Sequence, residues 1–469
     1  MKTISDSPPG RQGPLKSMTE MKATKKRFRA ALAVIIAVAS HAFAGEEKQE
    51  PFPDLRLSGS LRLRYEHQSN YNIKRYGIGK SDDFLLTRLR LNFDLMLREG
   101  FHAFAQLQDA HFFFSDLSRH DFPKSCPYEN RLDLRQAYLE HKKLWGGPFG
   151  LKIGRQAINY GDNRIWGPGD WGNAGRYTWD AAKLYYHTDF IHIDAIAAER
   201  VLYDPITFDG SHYPYEVFGL YGRLPRNKAA SVDLFWVLKR DAHHNVKGES
   251  GTDDLNRHTV GAHATGEFGK TEFGGFDYAA TGAYQFGNHG KDDVHAYALL
   301  GEVGYTFKRR LNPRVYGAYT YASGDSDPTD GDNETFDAVN GARANYYGRM
   351  NLFYLKNLVD YQCGCSVEPA ENMKVSVDYH LVGLARSKDA WYYAAPHRRD
   401  NTGASGRNLG QEIDVIVKWQ VPLNTSIKKA IKKFELMAGY AYFVPGSFIE
   451  RTGPAGDANW GFLQAAAWF

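Results

Sequence analysis

The chain has 469 residues, and 43% of them are hydrophobic, 14% are aromatic and 46 are glycine. Its mean hydropathy of −0.51 excludes a bundle of membrane-spanning helices. Of the 58 basic and 54 acidic residues, eight basic and two acidic ones lie in residues 1–44. The remaining 50 basic and 52 acidic residues carry a net charge of −2, which gives no electrostatic support for binding nucleic acid.

The N-terminal segment has the pattern of an export signal. Five basic residues between Lys22 and Arg29 precede the apolar run 31–39, which is too short to span a bilayer. The small residues of the Ala42-Phe43-Ala44 stretch then suit cleavage by a signal peptidase. We therefore predict a signal peptide over 1–44 and leave open whether translation starts at Met18 or Met21.

Apolar and polar residues alternate along most of the remaining chain. Residues 55–65 place leucine, glycine and tyrosine on one face, and residues 88–97 place leucine and phenylalanine on one face. The opposite faces of these two segments carry arginine, serine, asparagine and aspartate. Further segments of the same pattern lie at 232–238, 276–284, 297–305, 375–381 and 413–419. Alternation of this kind predicts strands that are half in contact with lipid.

The last segment, Trp460–Phe469, has small or apolar residues at every second position and ends on an aromatic residue. No charged residue interrupts it. A buried edge strand of a soluble protein would also fit this pattern. We favour the closing strand of an outer-membrane barrel, because such strands need one face suited to lipid.

Connections of two lengths alternate between the predicted strands. Short ones lie at 98–100, 188–189, 225–230 and 309–313, and long ones lie near 67–83, 110–130, 157–178, 200–215, 240–256, 322–345, 385–409 and 444–458. Outer-membrane barrels combine short periplasmic turns with long outer loops. We therefore predict an all-β fold: after a short periplasmic lead-in at 45–54, a single transmembrane antiparallel β-barrel of about 18 strands fills residues 55–469.

The segment 154–180 is unusually rich in arginine, aspartate, tryptophan and glycine. Arginine binds carboxylates through a planar pair of donors, and tryptophan offers a flat apolar face. Two interpretations stay open together: a path for a charged substrate, or an Arg–Asp network that holds the loop inside the barrel. Lumen faces of neighbouring strands add four arginines, and Glu66 and Asp94 nearby could neutralise them. The predicted substrate path consists of Arg62, Arg64, Arg88, Arg90, Arg155, Asp162, Arg164, Trp171, Asn173 and Arg176.

An acidic segment, 325–334, offers spaced oxygen ligands. Its aspartates Asp325, Asp327, Asp330 and Asp332 are weak candidates for Ca²⁺, because their spacing differs from an EF-hand and a proline interrupts them. We favour a solvated outer loop and predict no metal. No phosphate loop, nucleophile elbow or catalytic triad spacing is evident, so we predict neither an enzyme nor a cofactor.

Cysteine is scarce, with Cys126, Cys363 and Cys365 only. Three cysteines cannot all pair with one another, although a local bridge across Gly364 is one alternative. We favour cysteines that are incidental or that take part in local redox chemistry.

Several of these motifs resemble the alginate-export family of outer-membrane barrels. They are Gly154-Arg155-Gln156, Tyr160-Gly161-Asp162 with Arg164, Asp170-Trp171 with Asn173 and Arg176, Tyr321–Asp325 followed by Asp330-Gly331 and Thr335-Phe336, His380-Leu381 leading to Asp389–Tyr392, Gly410–Asp414 and the final strand. The resemblance implies an 18-stranded monomeric pore in the outer membrane of a Gram-negative bacterium. It also implies an arginine-rich constriction that passes a uronate polymer.

Three functions follow as hypotheses. The first is an outer-membrane channel that passes an anionic polysaccharide or related small anions, since rings of arginine favour anions in pores. The second is a general or nutrient-specific porin working inward, and the third is a barrel hydrolase with a site at its rim. For the first we expect outer-membrane lipid and the anion as partners, together with periplasmic polysaccharide-secretion proteins, and no nucleic acid.

Overall fold

The computed structural model describes residues 54–469, apart from 99, 123–125, 176, 205–210, 226–229, 340, 343–345, 394–396, 425–426 and 428–429. The predicted signal peptide and Arg176 therefore lie outside the described residues. Residues 52–143 and 148–469 form one compact unit, which is the barrel. The turn 144–147 is grouped apart from this unit.

Eighteen antiparallel strands form one closed sheet, which confirms the predicted fold. They are β1 (Asp54–Asn72), β2 (Arg75–Arg98), β3 (Phe101–Phe113), β4 (Asn130–Leu144), β5 (Phe149–Gln156), β6 (Trp179–His187), β7 (His192–Val201), β8 (Ser211–Arg223), β9 (Ser231–Lys247), β10 (Thr252–Phe268), β11 (Gly274–His289), β12 (Asp292–Phe307), β13 (Arg314–Ala322), β14 (Leu358–Ala370), β15 (Met373–Gly383), β16 (Asn408–Gln420), β17 (Lys433–Pro445) and β18 (Ala458–Trp468). The last strand closes the barrel against β1, where Leu61 lies opposite Ala467.

The two faces of each strand differ as the alternation predicts. On β1, Leu57 is 62% exposed on the outer face, whereas the side chain of Arg64 is 2% exposed on the lumen face. Outward leucine, valine and tyrosine recur around the sheet, for example at Leu299, Val415 and Leu463. Because the barrel buries the polar face and exposes the apolar one, its outer surface is suited to lipid rather than to water.

Helical structure is minor. The structure describes one α-helix, α1 (Ser447–Thr452), one 3₁₀ turn (Arg119–Asp121) and a two-residue strand, Asp332–Asn333, that pairs with β12. Among the residues described, no helix has the length and apolar character needed to cross a membrane.

Most connections lie where the sequence predicts them, and the loop 157–178 has the predicted bounds. Two predicted long loops are wrong. The region 67–83 continues β1 and β2, which are joined by a tight turn at 73–74. In the region 240–256, only residues 248–251 form a connection, and the rest belongs to β9 and β10. The alternation is lost there because polar residues interrupt both faces, while the backbone hydrogen-bond ladder between the strands continues.

Two outer loops, 157–178 and 323–357, fold into the lumen. Their apolar side chains Trp166, Phe336 and Leu352 belong to one core with inward residues of the strands. Trp166 lies against Gly219 of β8, where an added Cβ would come within 2.6 Å of the indole ring. A core inside the barrel therefore fixes the backbone of both loops relative to the lumen wall.

The three cysteines are free thiols. Cys126 is buried, whereas Cys363 and Cys365 are exposed on β14. The local bridge considered for the latter two is not formed.

Candidate functional site

Five arginines from β1, β2 and β4 converge on one side of the lumen. Arg62 and Arg88 lie directly opposite each other in the β1–β2 register, and Arg90 lies one inward position further along β2. Arg64 follows on β1, and Arg135 of β4 completes the group that we call the arginine wall. Inward alternation along neighbouring strands is what places these residues side by side.

The arginine wall holds the segment 170–174 of the loop 157–178. Arg62 donates to the carbonyl oxygens of Trp171 and Gly172, at 3.2 Å in each case, and Arg88 donates to those of Asp170 and Gly172 at 3.1 and 3.2 Å. Most of these contacts are therefore made to neutral carbonyl groups. They orient the loop without cancelling the charge of the guanidinium groups.

Asn173 fixes the same segment from the loop side. Its carbonyl oxygen accepts a hydrogen bond of 3.0 Å from Arg62, and its amide nitrogen donates to the backbone carbonyl oxygens of Thr87, His111 and Tyr128 at 2.8–3.0 Å. The side chain is fully buried. The loop is thus tied by one residue to β2, to β3 and to the connection before β4.

Two carboxylates form ion pairs with the arginine wall. Glu66 lies 3.0 Å from Nε of Arg64, and Oδ1 of Asp170 lies 3.0 Å from Arg90 and 2.9 Å from Arg135. Burial alone would raise the pKa of Asp170, but the neighbouring guanidinium groups outweigh it and hold that pKa well below its ordinary value. Five guanidinium groups against these two carboxylates leave three unbalanced positive charges.

Trp171 connects the arginine wall with the closing strand. The guanidinium carbon of Arg64 lies 4.4 Å from the centre of the Trp171 ring. The ring also makes edge contacts with Trp460 and Phe462 of β18, with centroids 6.4 and 5.4 Å away. Contact with a cation on one side and with aromatic rings on the other holds this indole in place.

The structure places the other predicted path residues away from the arginine wall. Arg155 forms a two-pronged ion pair with Asp180 of β6, at 2.9 and 3.1 Å. Arg164 pairs with Asp162 at 2.7 Å and lies near the ring of Tyr346 in the loop 323–357. They are therefore local pairs, one along the β5–β6 hairpin and one where the two inserted loops meet.

Sequence reasoning missed one member of the arginine wall and one of its two counter-ions. Arg135 and Asp170 were not selected, although Asp170 lies inside the motif-rich segment. The inward position of Arg135 could have been found from the alternation along β4, but a register irregularity in that strand obscures it. Asp94, which we considered as a neutralising partner, pairs with His102 instead.

The predicted aspartates of the acidic segment are separated in the structure. Asp325 is buried, with its backbone nitrogen bonded to Asp389, whereas Asp327 and Asp330 accept hydrogen bonds within their own turns. In the described ranges, the group whose ligand atoms come close enough to hold a metal is His244 with Asp253 and Asp254. All three lie near the β9–β10 turn, outside the segment that the sequence indicated.

A closed 18-stranded antiparallel barrel with an apolar outer face and a charged lumen defines the class of outer-membrane β-barrel channels. Within that class, the family model described as Alginate export matches residues 54–461. The chain therefore belongs to the alginate export family and resides in the outer membrane of a Gram-negative bacterium.

Solved structures of Pseudomonas aeruginosa show the same fold at low sequence identity. Outer membrane protein OprD is 11% identical, with a TM-score of 0.58 and coverage of 90% of this chain and 95% of that chain. OccK9 (OpdG) is 11% identical, with a TM-score of 0.61 and coverage of 89% and 98%. OccK8 (OprE) is 12% identical, with a TM-score of 0.58 and coverage of 89% and 98%. No match was found among curated proteins.

The family and the barrel fold together support an outer-membrane channel that lies in lipid and passes a polysaccharide or an anion. They point to transport rather than to catalysis.

Proposed function

We propose that this protein passes an anionic polysaccharide built of alginate-like uronate units, and that the arginine wall is the part of the lumen that attracts it. The observation that carries the proposal is the excess of three positive charges in the arginine wall, where the main partners of Arg62 and Arg88 are backbone carbonyl oxygens. A carboxylate is a stronger partner for a guanidinium group than a neutral carbonyl is. A passing uronate can therefore compete for donors that the loop occupies at rest.

Several such donors lie close together, which suits a polymer with one carboxylate on each unit. Each contact is weak enough to be exchanged, so the chain can move from one arginine to the next. Trp171 borders the same path and offers an apolar ring face to a sugar. The monomeric state and periplasmic secretion partners remain predictions that accompany this proposal.

The test is ion selectivity of the refolded protein in planar bilayers. Replacing Arg88 and Arg90 by serine should lower the anion-to-cation permeability ratio by about tenfold or more, because two of the three unbalanced charges are lost. The matched control is serine at Arg309 and Arg310, an exposed pair in the turn between β12 and β13. Equal reversal potentials for the two double variants would contradict the proposal.

Current block separates a polymer channel from a porin for small solutes. We expect oligouronates to block the current at concentrations at which neutral glucans of equal length do not. Block by both, or by neither, would favour the porin for uptake.

A further inference from the structure

A cavity of about 420 Å³ lies away from the arginine wall, between the two inserted loops and the inward faces of β7–β9. Its volume falls within the range of about 300–1,000 Å³ that is usual for small-molecule sites. Four basic residues line it together with one carboxylate. They are Arg164, Arg200, Lys239, Lys356 and Asp337.

The basic residues of this cavity each lie against a tyrosine ring. Lys239 lies 4.6 Å from the ring centre of Tyr215, and Lys356 lies 4.9 Å from that of Tyr392. The guanidinium carbon of Arg200 lies 4.7 Å from the ring centre of Tyr177. The aromatic faces help to hold positive charge in a site that is largely out of water.

Asp337 shows that a carboxylate fits between the two ammonium groups. Its Oδ2 lies 3.2 Å from Lys239, and its Oδ1 lies 3.4 Å from Lys356. Although burial would raise the pKa of Asp337, these lysines hold it well below its ordinary value. Its backbone is tied separately to Gln285 of β11, at 3.0 and 2.8 Å. The loop position of Asp337 therefore does not depend on its charge alone.

The charges of the cavity do not balance. Arg164 is paired with Asp162, and the two lysines share Asp337. Two ammonium groups therefore face one carboxylate, which leaves one positive charge for a ligand.

Tyr347 provides an independent sign of a missing partner. Its side chain is 1% exposed and lines the cavity, yet its hydroxyl group has no hydrogen-bond partner among the described residues. A buried hydroxyl without a partner costs free energy, so native structures seldom leave one unpaired. A ligand oxygen inside the cavity would satisfy it.

We propose that this cavity binds a single hexuronate ring, as a site separate from the arginine wall. The carboxylate is held by Lys239 and Lys356, the Tyr347 hydroxyl donates to a ring oxygen or hydroxyl, and the neighbouring tyrosine faces contact the ring. The proposal rests on the proposed function, because the lumen must admit uronates. It adds that one unit is recognised in a pocket of its own, rather than by charge along the path.

Binding of monomeric glucuronate to the refolded full chain, measured by calorimetry, tests the proposal. We expect glucuronate to bind and glucose not to bind. Equal binding of glucose would overturn the role of the charges, and binding of inorganic phosphate in place of glucuronate would overturn the role of the ring.

Two variants test the assigned contacts. Lys239→Met should weaken glucuronate binding by about tenfold or more, as expected for loss of a charged hydrogen bond. Tyr347→Phe keeps the ring and should weaken it by about threefold. The matched control is Lys152→Met, because Lys152 of β5 also lies over a tyrosine ring, that of Tyr138, at 3.5 Å. Equal losses in the control and in Lys239→Met would overturn the assignment.

Asp337→Asn separates a binding site from a structural cluster. If the cavity is an anion site, releasing both lysines should tighten glucuronate binding, whereas weaker binding would show that the cluster only supports the loop. Failure of glucuronate to bind while the arginine variants still shift the reversal potential would remove this site and leave the channel. Binding of glucuronate by a protein that shows no anion selectivity in the bilayer would instead remove the proposed anion channel and leave this site.

Discussion

Asp170 offers the sharpest test of how the arginine wall acts. Its carboxylate is shared by Arg90 and Arg135 at 3.0 and 2.9 Å, and its carbonyl oxygen accepts from Arg88. Asp170→Asn keeps the shape of the side chain and removes its charge. The unbalanced positive charge of the arginine wall should then rise from three to four.

The size of the effect follows from Coulomb's law. One unit charge about 6 Å from the path of an ion changes its energy by about 0.7 kcal/mol in a water-like dielectric. This is a factor of about three for each ion, and therefore about ten for the anion-to-cation ratio, because anions gain what cations lose. Salt weakens the effect over a Debye length of about 10 Å at 0.1 M, so dilute salt is preferred.

The substitution also weakens the hold on the loop. The carboxylate is 51% exposed, so losing its two ion pairs should cost only about 1–2 kcal/mol. The backbone contacts of Asn173 and of Arg62 are unaffected, and we expect the segment 170–174 to stay in place.

The measurement is the reversal potential across a gradient of potassium chloride, with Asp457→Asn in the outer loop before β18 as the control. We expect Asp170→Asn to shift the reversal potential toward the equilibrium potential of chloride. The control should have the reversal potential of the wild type. A shift toward potassium, or none, would mean that the guanidinium groups freed by the substitution do not face the ions.

Two further predictions concern the loops. Gly175 has a φ of +80°, and an added Cβ would lie 2.4 Å from the Arg135 guanidinium. Gly79 has a similar φ of +67°, but no atom lies within 4 Å of the position of its added Cβ. Gly175→Ala should therefore lower the melting temperature of the protein in detergent by more than Gly79→Ala does. Strain alone costs about 1–2 kcal/mol in both, and equal losses would show that Arg135 moves freely. In the outer turn 248–251, burial, and then the hydrogen bond and charge of Asp325, raise the pKa of Glu249 to about 8. The folded state therefore binds the extra proton below that pH, and its stabilising effect is lost as the pH rises through about 8. Proteolysis of this turn should accelerate from about pH 6 to about pH 9 in the wild type and less in Glu249→Gln, and parallel pH profiles would contradict this.

The sequence predicts the barrel well because its main determinant is local. Alternation along β1 and β2 separates lipid from lumen residue by residue, and the break at 157–178 is sharp because the two strands that flank it end there. The same rule fails at 67–83, where polar residues interrupt the hydrophobic pattern on both faces of the hairpin while the strands continue.

The cavity shows what alternation cannot predict. Lys239 and Lys356 are more than a hundred residues apart, one in a strand and the other in an inserted loop, and no motif connects them. Their meeting at Asp337 depends on how the loop 323–357 folds into the lumen, which depends in turn on a core formed by distant strands. Only the three-dimensional packing brings these charges together.

Much of the charge in the lumen is explained by the loops rather than by a substrate. On one side, arginines of β1 and β2 donate to loop carbonyl oxygens. On another, carboxylates of β16 accept from loop N–H groups: Glu412 from Met350 at 2.9 Å and Asp414 from Arg349 at 3.1 Å.

Irregular backbone inside a barrel needs hydrogen-bond partners for both its N–H groups and its carbonyl oxygens. Here the strands supply carboxylates for the N–H groups and guanidinium groups for the carbonyl oxygens. A charged residue in the lumen is therefore not evidence of transport by itself. The informative charges are those that remain after the backbone of the loops is satisfied. These are the excess on the arginine wall and the two lysines that share one carboxylate. Both excesses are positive, although residues 45–469 carry a small net negative charge, so these two parts of the lumen have a sign that the composition does not show.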